Sequence, residues 1–218
     1  IPAYRLPRER LQKDIDCILS TGVEVKRNTK VGEGEYTMER LREEYDAVYI
    51  AIGAHTDKKV GIEGEDAENV LSAVEFLGKI GDDEIPDRTG RKVCIIGGGN
   101  VAMDCTRSAI RCGAERVSIV YRRRQEDMTA LPEEVEGAIA EGAVMMDLHA
   151  PLRIETDETG KVSALWAAPK MPGQIKEGRM SPAASGLDDK RIECDVVIVA
   201  VGQGIEYHTL ESSGIPVV

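Results

Sequence analysis

The sequence predicts an α/β fold with a parallel sheet between helices, and three observations support this prediction. Between residues 92 and 149, apolar strand patterns alternate with helical patterns, as in proteins built from βαβ units. A glycine-rich turn begins at Gly97, directly after the first of these strands. Short strand patterns then predict an antiparallel excursion from the main sheet at residues 152–156, 162–167 and 191–193.

The first eighty residues alternate helix and strand patterns. Apolar residues at helical spacing predict a helix over 8–20, and Gly22 follows as a stop signal. Thr37 is a suitable N-cap for a second helix. The remaining patterns predict a short strand at 23–26, a buried strand at 46–53 and a helix at 72–79.

A polar stretch with glycine and proline at residues 80–90 is the best candidate for a domain boundary. A longer loop is expected at 170–190, before the chain returns to a buried strand at 195–202. The alternating elements between these points are predicted as strand 92–96, helix 100–112, strand 116–121, helix 132–141 and strand 143–149.

Composition excludes several classes of protein. The 218 residues include 28 Lys and Arg against 39 Asp and Glu, which gives a formal net charge of −11. Such acidity argues against nucleic acid or an anionic membrane as a partner, and no apolar run approaches the ~20 residues of a membrane helix. Five cysteines without a Cys-x-x-Cys pair fit reduced thiols in a cytoplasmic protein. The chain starts without Met or a signal peptide, so we expect a piece of a longer protein.

The segment most informative about function is VCIIGGGNVAMD at residues 93–104. Its Gly97-x-Gly99-x-x-Ala102 fingerprint lies between a strand and a helix, with a second strand about 20 residues further on, as dinucleotide binding requires. Gly97 permits the tight turn, Gly99 lets the backbone approach a pyrophosphate, and Ala102 keeps helix and strand close. A glycine-rich turn without a ligand is the alternative. The residues expected to hold the pyrophosphate are Gly97, Gly98, Gly99, Asn100 and Val101.

The end of the second strand indicates which dinucleotide is bound. Sites selective for NAD usually place Asp or Glu there, on the ribose 2′-hydroxyl. This chain has Tyr121 followed by Arg122, Arg123 and Arg124. Guanidinium groups bind phosphate through charge-assisted hydrogen bonds, so the pattern predicts NADP(H). A solvated basic turn is the alternative, and spacing does not choose among the three arginines.

Two other strand patterns end in glycine, at Gly53 and Gly202. A glycine at the carboxyl end of a parallel strand lets the backbone approach a ligand, although it can also simply end the strand. Both are therefore candidate cofactor-binding positions. The sequence assigns no catalytic acid, base or nucleophile, and no residue spacing predicts a metal site.

Residues 1–7, 46–53, 97–107, 121–132 and 195–203 together resemble the small (beta) subunit family of glutamate synthase. These proteins are NADPH-dependent FAD oxidoreductases of the two-dinucleotide-binding type, related to the flavin part of dihydropyrimidine dehydrogenase. In that family an inserted NADPH domain interrupts an FAD domain. The resemblance covers nearly the whole chain.

The resemblance implies a partial FAD-binding-type domain at 1–87, an NADP(H)-binding Rossmann domain at 88–202, and a segment at 203–218 that returns towards the FAD domain. It also implies hydride transfer from NADPH to FAD in the complete protein, with Gly202 near the nicotinamide. The implied partners are the missing FAD-domain segments and an iron–sulfur or acceptor subunit or domain.

The chain departs from the family in several ways, from which we expect it to be a central fragment. The first FAD fingerprint, the N-terminal cysteine region and the C-terminal Gly-Asp segment are absent. Ile52 stands where the family has Thr, and Thr129 where it commonly has Pro.

Other functions stay open at this stage. The chain could be an NADP-binding fragment that catalyses nothing alone, or the equivalent module of a dihydropyrimidine dehydrogenase-like or ferredoxin-linked oxidoreductase. A methyltransferase-like domain using S-adenosylmethionine would favour an acidic residue after the second strand, where this chain has arginine.

Overall fold

The computed structural model describes residues 1–32, 34–88, 90–176 and 178–216. Thr89, inside the expected boundary at 80–90, lies outside these residues, as do Val217 and Val218 in the expected return segment. The helices are α1 (Arg8–Leu19), α2 (Met38–Glu44), α3 (Ala73–Gly81), α4 (Asn100–Arg111), α5 (Pro132–Ala140) and α6 (His208–Ser212). The strands are β1 (Thr56–Asp57), β2 (Val70–Ser72), β3 (Lys92–Ile96), β4 (Arg116–Val120), β5 (Val144–Met146), β6 (His149–Thr156), β7 (Val162–Lys176), β8 (Arg179–Ala184), β9 (Lys190–Glu193), β10 (Val196–Val199) and β11 (Gln203–Gly204).

The chain divides into two compact units. The first contains Ile1–Arg5 and Asp57–Gly202, and the second contains Leu6–Thr56 and Gln203–Val218. The first unit therefore begins well before the expected boundary at 80–90. This difference arises because β2 pairs with β10 and because Ala73 and Phe76 of α3 belong to the same apolar core as β3.

The first unit is built on a five-stranded parallel sheet in the order β2-β10-β3-β4-β5. The central strands β3, β4 and β10 are buried along almost their whole length. Side chains on both faces of a covered parallel sheet are apolar, which explains the continuous Val and Ile runs in these strands. The predicted parallel sheet with helices is confirmed.

Helices α3, α4 and α5 bury one face of this sheet. Phe76, Met103, Ile119 and Ile198 are at most 2% exposed and belong to a single apolar cluster. On the other face, Cys94, Ile96 and Val197 pack with residues of the antiparallel strands. The sheet is thus held rigidly on both sides, which fixes the carboxyl ends of its strands.

The antiparallel excursion is larger than predicted. Strands β6, β7 and β8 follow one another in antiparallel order, and β9 pairs with β7. Residues 170–190 were expected as a loop, and this prediction is wrong for 170–176 and 179–184, which belong to β7 and β8. Glu177 lies outside the described residues, and residues 185–189 form no helix or strand. Prolines at 172 and 182 interrupt the strand pattern in the sequence, yet these two positions pair with each other, with a bulge following Pro172.

The second unit contains α1, α2 and α6, and the strands expected at 23–26 and 46–53 do not form there. Val48, Tyr49 and Ile52 are 40%, 92% and 43% exposed, so the apolar run at 46–53 is not buried. A strand needs a neighbour to receive its backbone hydrogen bonds. Within the described residues, none pairs with either segment.

Replacing Ser72 by alanine tests how helix α3 begins. Ser72 is its N-cap, and the hydroxyl accepts a hydrogen bond from the backbone N–H of Glu75 at 3.0 Å. Its loss is expected to lower the free energy of unfolding by about 1 kcal/mol, measured by urea denaturation. Ser72→Asp keeps an acceptor and should stay close to wild type. Equal losses in both variants would contradict a capping role.

Candidate nucleotide-binding site

The glycine-rich turn joins β3 to α4 with no room for a side chain at Gly97. Its φ is +149°, which favours glycine. A Cβ there would lie 2.4 Å from the carbonyl oxygen of Ala200 and 3.3 Å from the Cβ of Ala102. Gly97 and Ala102 therefore let the turn, β10 and α4 approach closely, as the fingerprint predicts.

The first turn of α4 is open to an anion. Gly99 is the N-cap, with extended backbone (φ −104°, ψ 176°), and provides no side-chain cap. The first turn of the helix contains no acidic residue. The leading N–H groups of a helix lack partners within the helix and carry the positive end of its dipole. This geometry suits a phosphate group.

The turn after β4 packs directly on the glycine-rich turn. A Cβ on Gly98 would lie 2.5 Å from the ring of Tyr121, and the Tyr121 hydroxyl donates a hydrogen bond to the carbonyl of Asp127 at 3.0 Å. The carbonyl of Gly98 accepts hydrogen bonds from the N–H groups of Thr129 and Ala130, at 3.0 and 3.1 Å. Only a glycine at 98 leaves space for the tyrosine ring.

The side chain of Asn100 also supports this arrangement. Its amide oxygen accepts a hydrogen bond from the backbone N–H of Leu131 at 2.9 Å. Leu131 is the N-cap of α5 and provides no side-chain cap. Asn100 was expected only as a pyrophosphate ligand. In the structure its side chain also holds the first residue of α4 against the start of α5.

The three arginines differ in what they contact. Arg124 forms ion pairs with Glu126 and with Asp127, the latter at 2.8 Å. Arg123 donates from Nε to the carbonyl of Met180 in β8 at 2.9 Å. Arg122 is exposed, and among the described residues its side chain has no hydrogen-bond or ion-pair partner. Arg122 is therefore the arginine most available to a ligand.

The two strand-end glycines lie in different units. Gly202 belongs to the first unit, has a φ of +130°, and accepts a hydrogen bond from the N–H of Lys58 at 3.2 Å. Gly53 belongs to the second unit, has a φ of +67°, and is exposed. Gly202 follows β10, the neighbour of β3, and thus stands at the same edge of the sheet as Gly97.

Comparison with known proteins identifies the family. The family model described as pyridine nucleotide-disulphide oxidoreductase matches residues 5–218. The chain belongs to this family. The resemblance to glutamate synthase is confirmed by the NADPH small chain of that enzyme from Escherichia coli K12, which is 32% identical over 213 residues. That match covers 93% of this chain and 45% of the relative.

Two further proteins extend this comparison. The beta subunit of an NADP(+)-dependent formate dehydrogenase from Moorella thermoacetica is 37% identical over 214 residues, 97% of this chain and 30% of the relative. The chain thus spans less than half of either relative. The fold resembles FprA from Mycobacterium tuberculosis in complex with NADPH, with a TM-score of 0.69, 22% identity, and coverage of 90% of this chain and 59% of that one.

Several contacts at the site could not be read from the sequence. Tyr121 packs on Gly98, and Arg5 forms an ion pair with Asp104. No sequence motif contains both members of either pair.

Within the described residues, no group of three or more His, Cys, Asp or Glu side chains could hold a metal ion. In the same part of the chain, none of the helices has the length and apolar character needed to cross a membrane.

Proposed function

We propose that this chain is the NADP(H)-binding portion of a flavin-dependent oxidoreductase that transfers hydride from NADPH to FAD. The observation that carries the proposal is the uncapped α4 N-terminus at the close-packed Gly97 turn, in the same unit as Arg122, whose side chain has no partner in the part of the chain that the structure describes. Membership of a pyridine nucleotide-dependent family and the names of the NADPH- and NADP-dependent relatives support it.

In this proposal the backbone at Gly97, Gly98, Gly99, Asn100 and Val101 binds the pyrophosphate. Its negative charge is stabilised by the N–H groups and the dipole at the start of α4. Arg122 binds the 2′-phosphate, with Arg123 next to it as a second donor. Arg124 keeps its ion pairs with Glu126 and Asp127 and so shapes the turn that presents the other two.

The nicotinamide would then extend from the pyrophosphate towards Gly202. Because Gly202 has no side chain and a φ of +130°, its backbone lets a flat ring approach the sheet edge. FAD, when bound, supplies the two-electron acceptor for the hydride, and Gly53 is our candidate contact to that cofactor. The residues of this chain bind and orient the nucleotide, and none is assigned a proton-transfer role.

The complete protein is proposed to be of the glutamate synthase small-subunit type, working in the cytoplasm with the remaining FAD-domain segments. An iron–sulfur subunit or domain would carry electrons to the final acceptor. A relative named as a dehydrogenase beta subunit supports an assembly of this kind. The five cysteines are all free thiols, which fits a reducing compartment.

Replacing Arg122 by alanine tests nucleotide selectivity. We expect the Kd for NADPH to rise about tenfold and the Kd for NADH to stay within twofold, because the 2′-phosphate is the only group that loses a charge-assisted contact. Calorimetric titration of the intact protein with each nucleotide measures both.

The matched control is Arg91→Ala, which removes an exposed arginine at the opposite end of β3 from the glycine-rich turn. It should leave both affinities unchanged. Equal weakening of NADPH and NADH by Arg122→Ala would contradict the assignment of the 2′-phosphate. An absorbance scan of the same protein tests the flavin: a protein that binds NADPH without flavin would favour the non-catalytic alternative.

A further inference from the structure

Two residues near the start of the chain, Tyr4 and Arg5, lie against the helices of the first unit. Arg5 donates from Nη1 to both carboxylate oxygens of Asp104 in α4, each at 2.9 Å. Its Nε lies 3.4 Å from a carboxylate oxygen of Glu134 in α5. One guanidinium group therefore links the two helices whose N-termini border the glycine-rich turn.

Tyr4 holds this segment in place. Its ring lies under the guanidinium groups of Arg107 and Arg111, at 4.5 and 4.0 Å from their central carbons. Burial raises the pKa of the Tyr4 phenol to about 12. The two stacked guanidinium groups and the half-buried ring give this short segment a defined position.

Asp104 is the unusual member of this cluster. It is only 5% exposed, and it stands five residues after the N-cap Gly99, which at 1.5 Å per residue is about 7.5 Å along the helix. A buried carboxylate without a partner is costly. It would also repel a dinucleotide phosphate bound at the start of the same helix.

We propose that Arg5 is a positioning residue for the dinucleotide site, because it neutralises Asp104 and ties α4 to α5 beside the phosphate-binding turn. This inference rests on the proposed binding of NADP(H) by that turn. It assigns the segment Ile1–Arg5 to the nucleotide site, although about one hundred residues separate it from the fingerprint helix in sequence.

The charges around Asp104 determine how the effect depends on pH. Burial raises the pKa of the Asp104 carboxyl, Arg5 lowers it by hydrogen bonding and by its charge, and Glu134 raises it, with a net upward direction. Loss of Arg5 removes the largest opposing influence. The carboxyl would then be neutral at low pH and would carry an uncompensated charge only at higher pH.

The test measures NADPH affinity of the intact protein in Arg5→Met and Arg5→Gln, from about pH 5 to about pH 8. Each Kd is divided by the wild-type value at the same pH, so that titration of the nucleotide itself cancels. At the upper end we expect a loss on the order of tenfold, from one extra negative charge about 10 Å from the phosphates. Towards the lower end the ratio should become smaller, because protonation of the carboxyl removes the uncompensated charge.

Two further variants separate charge from packing. Arg5→Met/Asp104→Asn removes both charges and should bind within about threefold of wild type across the range. Arg10→Met, at an exposed arginine in α1, changes the net charge equally and should have no effect. Arg5→Gln can still donate a hydrogen bond to Asp104, so it carries the test if Arg5→Met does not fold.

The outcomes distinguish the two proposals. A pH-dependent loss that Asp104→Asn relieves supports the positioning role. A loss that Asp104→Asn does not relieve, or no loss in a folded variant, overturns it while the proposed function stands. If wild-type protein fails to bind NADPH at all, the proposed function is wrong and the inference falls with it.

Discussion

Replacing Gly97 by alanine is expected to destabilise the protein by about 3–4 kcal/mol and to abolish measurable NADPH binding. The new Cβ would lie 2.4 Å from the carbonyl oxygen of Ala200. Neither side can move away easily, because the N–H of Ala200 donates to Ile96 at 2.8 Å and the N–H of Gly97 donates to Val120 at 3.1 Å. Relief of the clash would disrupt the carboxyl end of β3, where the phosphate would bind. Urea denaturation and calorimetric titration measure the two losses.

Gly160→Ala is the matched control for Gly97→Ala. Gly160 also has a positive φ, at +84°, but nothing lies within 4 Å of its Cβ position. Only backbone strain is therefore introduced, at a cost of about 1 kcal/mol, and NADPH binding should be unchanged. If the two variants lost the same stability, close packing at Gly97 would not be the reason for the glycine.

The central part of the fold could be predicted because its patterns are local. The strand, turn and helix around Gly97 formed close to the expected limits, since a buried parallel strand and a following helix have distinct periods. The predictions were wrong where the structure depends on which strands pair with each other. Residues 46–53 look like a buried strand, yet they gain no partner among the described residues, while the proline-containing segment 170–184 pairs as a hairpin.

At the site, too, the locally determined features could be predicted and the long-range contacts could not. The sequence predicted which residues form the glycine-rich turn, because each glycine has a local backbone reason. It could not rank Arg122, Arg123 and Arg124, since their availability depends on contacts with Met180, 57 positions away, and with acidic neighbours. Thr129 appeared only as a departure from the family's proline. In the structure its N–H donates to the carbonyl of Gly98 at 3.0 Å, a bond that proline cannot form.

Replacing Gly98 by alanine should have a comparable effect through a different contact. Its Cβ would lie 2.5, 2.6 and 2.9 Å from three ring atoms of Tyr121. The ring is 9% exposed, and its hydroxyl is held by Asp127, so it cannot swing into solvent without releasing the turn that carries Arg122. We expect a loss of about 2–3 kcal/mol in stability and about a hundredfold in NADPH affinity, measured by denaturation and titration.

A double-mutant cycle with Tyr121→Ala identifies the cause of the Gly98→Ala effect. In the Tyr121→Ala background the ring is gone, so adding Gly98→Ala should cost less than about 0.5 kcal/mol, which leaves a coupling energy of about 2 kcal/mol. Gly99→Ala is the neighbouring control: its Cβ would meet only the Thr129 hydroxyl, at 3.4 Å, so the loss of stability should stay within the ~1 kcal/mol expected of alanine at an N-cap. NADPH affinity should still fall in Gly99→Ala, because a methyl group would then stand where the backbone approaches the pyrophosphate. If the stability losses of Gly98→Ala and Tyr121→Ala were additive, contact with the tyrosine ring would not be the reason for glycine at position 98.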